Sequence, residues 1–406
     1  MRIISTVLAI VMLIFALSGC SMETIGRGNN AIAVSIPETS LPDVDGTYTK
    51  DIRIIVNGNE HTGTALIMGS GEMLLPIAGI VKIIRGAVDL DLVSRQMRIK
   101  LNDNKIVLNF ESTLISVNDT EYQLDIPVTV IENTVFAPLQ LFSDYMQVGF
   151  GATDNDIYIS ANPAARIPVI LYHHLLPEER NKTVENNFLV VNTEDFEKQM
   201  KYLRDKGFFT LTISDLEGFL YNGKSLPERS VMINFDDGYY SNIIYAYPIL
   251  KQYGHRATIF LITHYVEELG DNQPQIDERG PIFTAAKSIP GTEDVFETAS
   301  HSHDMHKLLE GSKETVLCSE TKENIISDTR KSFEFVSNHS AYAYPRTKYN
   351  QNVIDALTEV GIKMAFTAGD TYVTADTNPF ELGRISIFEY TPFDSFKEIV
   401  NGKFAP

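Results

Sequence analysis

Val231-Met232-Ile233-Asn234-Phe235-Asp236-Asp237-Gly238 is the stretch on which the fold turns. Its first five residues make a short, mostly apolar run, the kind buried on both faces of a parallel sheet. Two carboxylates follow at once, and Gly238 permits the sharp turn that carries the backbone past them. Adjacent carboxylates repel, so burying both costs free energy unless a cation or a proton compensates. In an α/β protein this position is the carboxyl end of a strand, where such folds build their sites. An ordinary Asp-Asp-Gly surface turn has the same letters, so the flanking sequence must decide.

Outward from this stretch, strands and helices alternate. Strands are expected at 168–171, 208–211, 257–261, 295–299, 341–344, 363–367 and 384–388. Helices are expected at 194–206, 214–220, 241–253, 320–336, 351–360 and 392–400. Within the first, Phe196, Met200 and Leu203 share one face, and Thr193 stands where a cap belongs. Such alternation over 166–406 reads as an α/β domain, a parallel sheet covered by helices, closed as a barrel or left open. No Gly-rich dinucleotide fingerprint follows any strand.

A second polar stretch, Ser300-His301-Ser302-His303-Asp304-Met305-His306, follows the strand expected at 295–299 and holds three of the chain's nine histidines. A polar loop with incidental histidines is the plain reading. One Asp with two His is also a donor set suited to Zn²⁺ and compatible with Co²⁺ or Ni²⁺. Alternation points His303 away from its neighbours, toward a place behind them or at the surface. The segment 264–293, rich in Gly, Pro, Asp and Gln, reads either as a lid or groove wall or as a plain surface insertion.

Residues 46–161 have the two-residue period of strands. Ile52, Ile54 and Val56 alternate with polar neighbours before the turn Asn57-Gly58-Asn59. Similar runs occupy 99–101, 105–108, 113–117 and 156–160, with one short helix expected at 138–146. No catalytic cluster stands out and His61 is alone, so a spacer or wall-binding module is the reading. Arg2 and the apolar run 3–17, ending in Leu17-Ser18-Gly19-Cys20, form a signal segment at 1–19, too short for a bilayer span. Residues 20–45 read as a flexible tether. Cys318 is then the sole remaining thiol, a packing residue with no disulfide partner. The net charge of −19 and the lack of a basic patch disfavour nucleic acid or an anionic bilayer surface as partners.

Asn234 to Gly238 resembles the first motif of the polysaccharide deacetylases of carbohydrate esterase family 4, usually Thr-Phe-Asp-Asp-Gly, with Asn234 in place of Thr. His301-Ser302 resembles the second motif. Many members place the partner His where Met305 stands. The wider spacing to His306, and Tyr172-His173-His174, resemble the branch acting on poly-N-acetylglucosamine. Tyr342 to Asn350 resembles the third motif, with Ala343 where many members carry Arg and Thr347 where they carry Gly.

The resemblance spans about 168–400 and implies a distorted (β/α) barrel. It implies Asp237, His301 and His306 as ligands of a divalent metal, Zn²⁺ foremost, and Asp236 as general base. A backbone N–H near Tyr344 would help hold the oxyanion. The family usually draws its general acid from a late-strand His. None follows His339 here, so His173 and His174 are the candidates, with Asp370 and Arg384 as partners near the site.

Phe136-Ala137-Pro138-Leu139 and Val148-Gly149-Phe150 resemble the N-terminal domain of copper amine oxidases, with Gln140 where Arg is usual. The residues before Cys20 resemble a lipobox, implying lipid on the Cys20 thiol and anchorage at the extracytoplasmic face of the cell membrane. The expectation is a metal-dependent N-deacetylase of an N-acetylglucosamine glycan, poly-N-acetylglucosamine ahead of peptidoglycan. A non-catalytic glycan-binding lipoprotein on a degenerate deacetylase fold, a small-molecule amidase and an acetylxylan esterase are the competing readings.

Overall fold

The computed structural model describes residues 46–181, 188–270 and 291–404. Cys20, the stretch expected to tether it and most of the expected lid lie outside the described residues. No helix among the described residues is long and apolar enough to cross a membrane.

The two-residue period at the amino end becomes an 11-stranded sheet, largely antiparallel. Tyr48–Val56 pairs with Asn59–Ile67 across Asn57 and Gly58, both at positive φ (51° and 78°), as a tight hairpin turn requires. The inward residues Ile52, Ile54 and Val56 join Met97, Ile106 and Phe142 in one apolar core. The strand Asp156–Ser160 returns to pair parallel with Tyr48–Val56. The helix expected at 138–146 is a single π-helical turn, Leu141–Tyr145. A helix at Ile77–Ile83 was not expected, because the strand Met73–Pro76 runs straight into it and the apolar letters show no break.

The second sheet is built from β1 (Val169–Tyr172), β2 (Ser230–Phe235), β3 (Ala257–Leu261), β4 (Phe296–Ser300), β5 (Ala341–Ala343), β6 (Met364–Phe366) and β7 (Ile385–Ser386). Its order is β6-β5-β4-β3-β2-β1-β7, with every ladder parallel and Phe209–Thr210 added beside β2. Leu382 donates to the Ala365 carbonyl (3.0 Å) and accepts from the Thr367 N–H (2.7 Å), while β7 pairs with β1. The stretch 382–386 thus touches both edges and curls the sheet into a barrel with a short, irregular seam. That seam reduces the strand expected at 384–388 to two residues.

Local chemistry sets the helix starts. Thr212 and Asp215 form a reciprocal capping box ahead of Ile213–Tyr221, and Asn350 caps Gln351–Val360. Thr193 is not a cap but the first residue of its helix, Thr193–Asp205. The helix expected at 320–336 is Lys322–Ser332, capped by Thr321, and a separate short helix, Val316–Ser319, capped by Thr315, precedes it. The described residues of both sheets fall in one compact unit. Asp156 of the first sheet accepts from Arg53 and, across the junction, from Arg204 of Thr193–Asp205, both at 2.7 Å.

Candidate active site at the strand ends

β2 ends where the apolar run ends, and the turn after it is shaped by two left-handed residues. The Asp236 N–H donates to the Tyr172 carbonyl (3.0 Å), extending the β1–β2 ladder by one bond. Asp237 then has φ 70° and Gly238 φ 82°. Asp tolerates this region better than most residues. A Cβ on Gly238 would lie 2.6 Å from Leu261 Cδ2 and would be held at a φ that strains any side chain, so glycine suits the reversal against the end of β3. Two strands along, the His301 N–H donates to the Leu261 carbonyl (2.8 Å), and Ser302 at φ 72° turns the loop back over the barrel mouth.

These two turns bring the expected residues together. His301 Nε2 lies 3.6 Å from Asp237 Oδ1 and 3.8 Å from Asp236 Oδ2, and His306 Nε2 lies 3.5 Å from the same Asp237 oxygen. One donor atom from each of Asp237, His301 and His306 falls within a 4.8 Å cluster. His301 Nδ1 is 2.8 Å from the Ala343 carbonyl, so it carries a proton and turns Nε2 toward the carboxylates. Burial, helped by His301 and opposed by Asp237, pushes His306 down to about 4, which keeps its lone pair free at neutral pH. Two imidazole nitrogens facing one carboxylate oxygen fit a divalent metal ion.

Asp236 has a different partner. Arg384, entirely buried, grips it with two hydrogen bonds, Nη1 to Oδ1 at 2.6 Å and Nη2 to Oδ2 at 2.8 Å. The Arg384 Nε–H donates to the Thr367 carbonyl (2.8 Å), which fixes the guanidinium plane. Burial alone would raise the Asp236 carboxyl. The Arg384 charge and hydrogen bonds, with His301 and His173, outweigh it and hold the group well below the usual carboxylate range. Arg384, expected only as a partner near the site, is thus the residue that keeps Asp236 ionised. The sequence signal was an arginine inside the apolar run Gly383-Arg384-Ile385-Ser386-Ile387.

The two acid candidates separate. Burial lowers His173, Asp236 and Asp237 oppose that, and Arg384 and His301 add to it, so its ring senses the whole cluster. His174 is pushed down to about 4 by burial alone; its Nδ1 lies 2.6 Å from Ser241 Oγ, and its ring stacks on Tyr239. Two expectations need correction. The Tyr344 N–H donates to the Phe366 carbonyl (3.0 Å), and the Tyr344 hydroxyl donates to the Phe380 carbonyl (3.0 Å). Both donors are engaged within the barrel wall, so Tyr344 has none to offer an oxyanion. Asp370 is exposed, and its link to the site is its backbone N–H, which donates to the Arg384 carbonyl (3.1 Å). His339 precedes β5, at the opposite end of the barrel from the site, and its Nε2 lies 3.1 and 3.2 Å from the Phe333 and Val336 carbonyls.

A parallel barrel gathering two carboxylates, two histidines and a buried arginine at its strand ends is a hydrolase architecture. The family model for polysaccharide deacetylases matches residues 223–365, and that for the copper amine oxidase N-terminal domain matches 55–159. A poly-beta-1,6-N-acetyl-D-glucosamine N-deacetylase of Staphylococcus aureus (strain MRSA252) is 32% identical over 218 residues, covering 52% of this chain and 70% of that protein. The fold is similar to that of the Streptococcus pyogenes deacetylase PplD in complex with acetate (TM-score 0.50, 20% identity, 59% of this chain and 99% of that one). It is equally similar to a de-N-acetylase from Aggregatibacter actinomycetemcomitans (TM-score 0.50, 20% identity, 58% and 99%). The chain belongs to the polysaccharide deacetylase family. It is a deacetylase with a small, mostly β domain of the copper amine oxidase N-terminal type ahead of its barrel.

Proposed function

We propose that this deacetylase hydrolyses N-acetyl groups of an N-acetylglucosamine polymer, with Asp237, His301 and His306 holding a divalent cation. Zn²⁺ is first choice for that donor set, with Co²⁺ and Ni²⁺ as alternatives. The observation that carries the reading is the three-residue donor cluster beside a buried, ionised Asp236 clamped by Arg384. Binding a glycan needs no base, so the non-catalytic reading leaves the Asp236–Arg384 pair a structural role alone.

A bound cation would supply Lewis acidity, lowering the pKa of a coordinated water and polarising the acetamide carbonyl. Asp236 takes the proton of the attacking water, and Arg384 keeps the carboxylate ionised and aimed. His173 returns a proton to the departing nitrogen as the C–N bond breaks, giving acetate and a free amine. His174, held by Ser241, positions its neighbour. An extracytoplasmic setting, with lipid on Cys20, belongs to the same reading and rests on residues 1–20 of the sequence.

The similarity to the Staphylococcus aureus enzyme supports poly-β-1,6-N-acetylglucosamine as the substrate ahead of peptidoglycan and acetylated xylan. Acetate release from the three polymers, with Zn²⁺ or Co²⁺ restored to metal-free protein, tests the choice. Faster release from poly-N-acetylglucosamine is expected. Release only from xylan, or metal-independent release, would overturn the proposal.

A further inference from the structure

His303 lies between His301 and His306 in sequence but takes no part in their cluster. It looks instead at the helix Thr263–Leu269. Its Nδ1 is 3.0 Å from Thr263 Oγ1, and its Nε2 is 3.3 Å from Glu267 Oε2. The same helix carries His264, three residues before Glu267, the spacing that puts both side chains on one face. The backbone fixes the two segments against each other: the Thr263 N–H donates to the Ser302 carbonyl (3.1 Å) and the His264 N–H to the His303 carbonyl (3.0 Å). One donor atom from each of His264, Glu267 and His303 then lies within 4.8 Å of the other two.

We propose that His264, Glu267 and His303 form a second divalent-cation site, of the zinc class, distinct from the Asp237 centre. Two imidazole nitrogens and one carboxylate oxygen are a borderline donor set that zinc prefers and magnesium or calcium does not. Thr263 orients the His303 ring: where its hydroxyl accepts from Nδ1–H, the Nε2 lone pair faces Glu267. Glu267 is itself oriented, because Lys331 Nζ sits 2.9 Å from Oε1 and leaves Oε2 toward His303. The side chains of His264 and Glu267 are 35% and 45% exposed, so solvent supplies both an entry path and the remaining coordination positions. The plain alternative is a rim ion-pair network of Glu267, Lys331 and a protonated His303, which contributes little at such exposure.

The site joins two elements. A cation there would tie the helix Thr263–Leu269 to the loop that carries His301 and His306, and so hold that loop over the barrel mouth. The test is metal stoichiometry on metal-free full-length protein dialysed against micromolar Zn²⁺, with thermal melting as a second readout. Two Zn²⁺ per chain are expected for the wild type. One is expected for the His264→Ala/Glu267→Gln variant, whose changes lie on a half-exposed helix face and leave the barrel intact. One is also expected for Asp237→Ala, which disables the other centre. The second equivalent should raise Tm in the wild type and not in the double variant. A single Zn²⁺ in the wild type, lost in Asp237→Ala and kept in the double variant, would overturn the proposal while leaving the catalytic reading intact. Two Zn²⁺ retained in the double variant would overturn it equally.

Discussion

At the residue scale the site depends on how a carboxylate stays charged while almost fully buried. Asp236 is 3% exposed and Arg384 not at all. Removing one member of such a pair leaves an uncompensated charge in the interior, which typically destabilises by about 3–5 kcal/mol. Arg384→Met should therefore lower the urea midpoint, with an unfolding free energy reduced by an amount of that order, and also depress hydrolysis, since Asp236 would then favour its protonated form. An unchanged midpoint would show that the pair is not what stabilises this end of the barrel. The folded pKa of Asp236 is lowered, so its contribution to stability is present above the ordinary carboxylate value and is lost only as pH falls through the folded one. No limb of the rate profile between roughly pH 5 and 8 should then belong to Asp236. The acid role is expected to show at His173. His173→Gln should cost roughly 10²–10⁴ in kcat and remove one limb of the pH–rate profile. His174→Gln should alter the rate without removing a limb, and the reverse pattern would move the acid role to His174. Most of this was legible in the sequence, because Asp236-Asp237 and His301 to His306 are local words. The Asp236–Arg384 pair was not, since its members are 148 residues apart and only barrel closure joins them.

At the element scale, strands and helices follow their periods, and the departures have physical causes. The helix Ile77–Ile83 hides behind an apolar strand, and Thr315 caps a one-turn helix, Val316–Ser319, ahead of the one that Thr321 starts. The barrel wall also holds a charge that no local pattern announces. Glu297 on β4 accepts from the Ile213 N–H (2.6 Å) and the Thr258 hydroxyl (3.0 Å). Burial lifts it to about 7, against those two bonds. A carboxyl raised on folding stabilises the native state fully below its ordinary pKa, and that contribution is lost as pH rises through the folded value. Tm should fall by an amount on the order of a few degrees between roughly pH 5 and 8 in the wild type. Glu297→Gln, which keeps an acceptor and cannot ionise, should flatten that fall. An equally steep fall in the variant would place the titration elsewhere.

At the scale of the whole molecule, two sheets of different construction meet around Asp156, which Arg53 holds from one side and Arg204 from the other. That contact was invisible in the sequence for the same reason as the Asp236–Arg384 pair: it needs both folds complete. The α/β alternation, by contrast, is legible in the order of the residues alone, because periodicity records which faces are buried. The site lies where that architecture puts it, at the carboxyl ends of β2 and β4. The central claim is that Asp237, His301 and His306 hold the metal while Asp236 acts as the base. The direct test is to measure metal content and acetate release together, from poly-β-1,6-N-acetylglucosamine, for wild type and Asp236→Asn. The account expects the variant to keep the Zn²⁺ of this centre while its rate falls by roughly 10²–10⁴. A variant that keeps both its metal and its rate would contradict it.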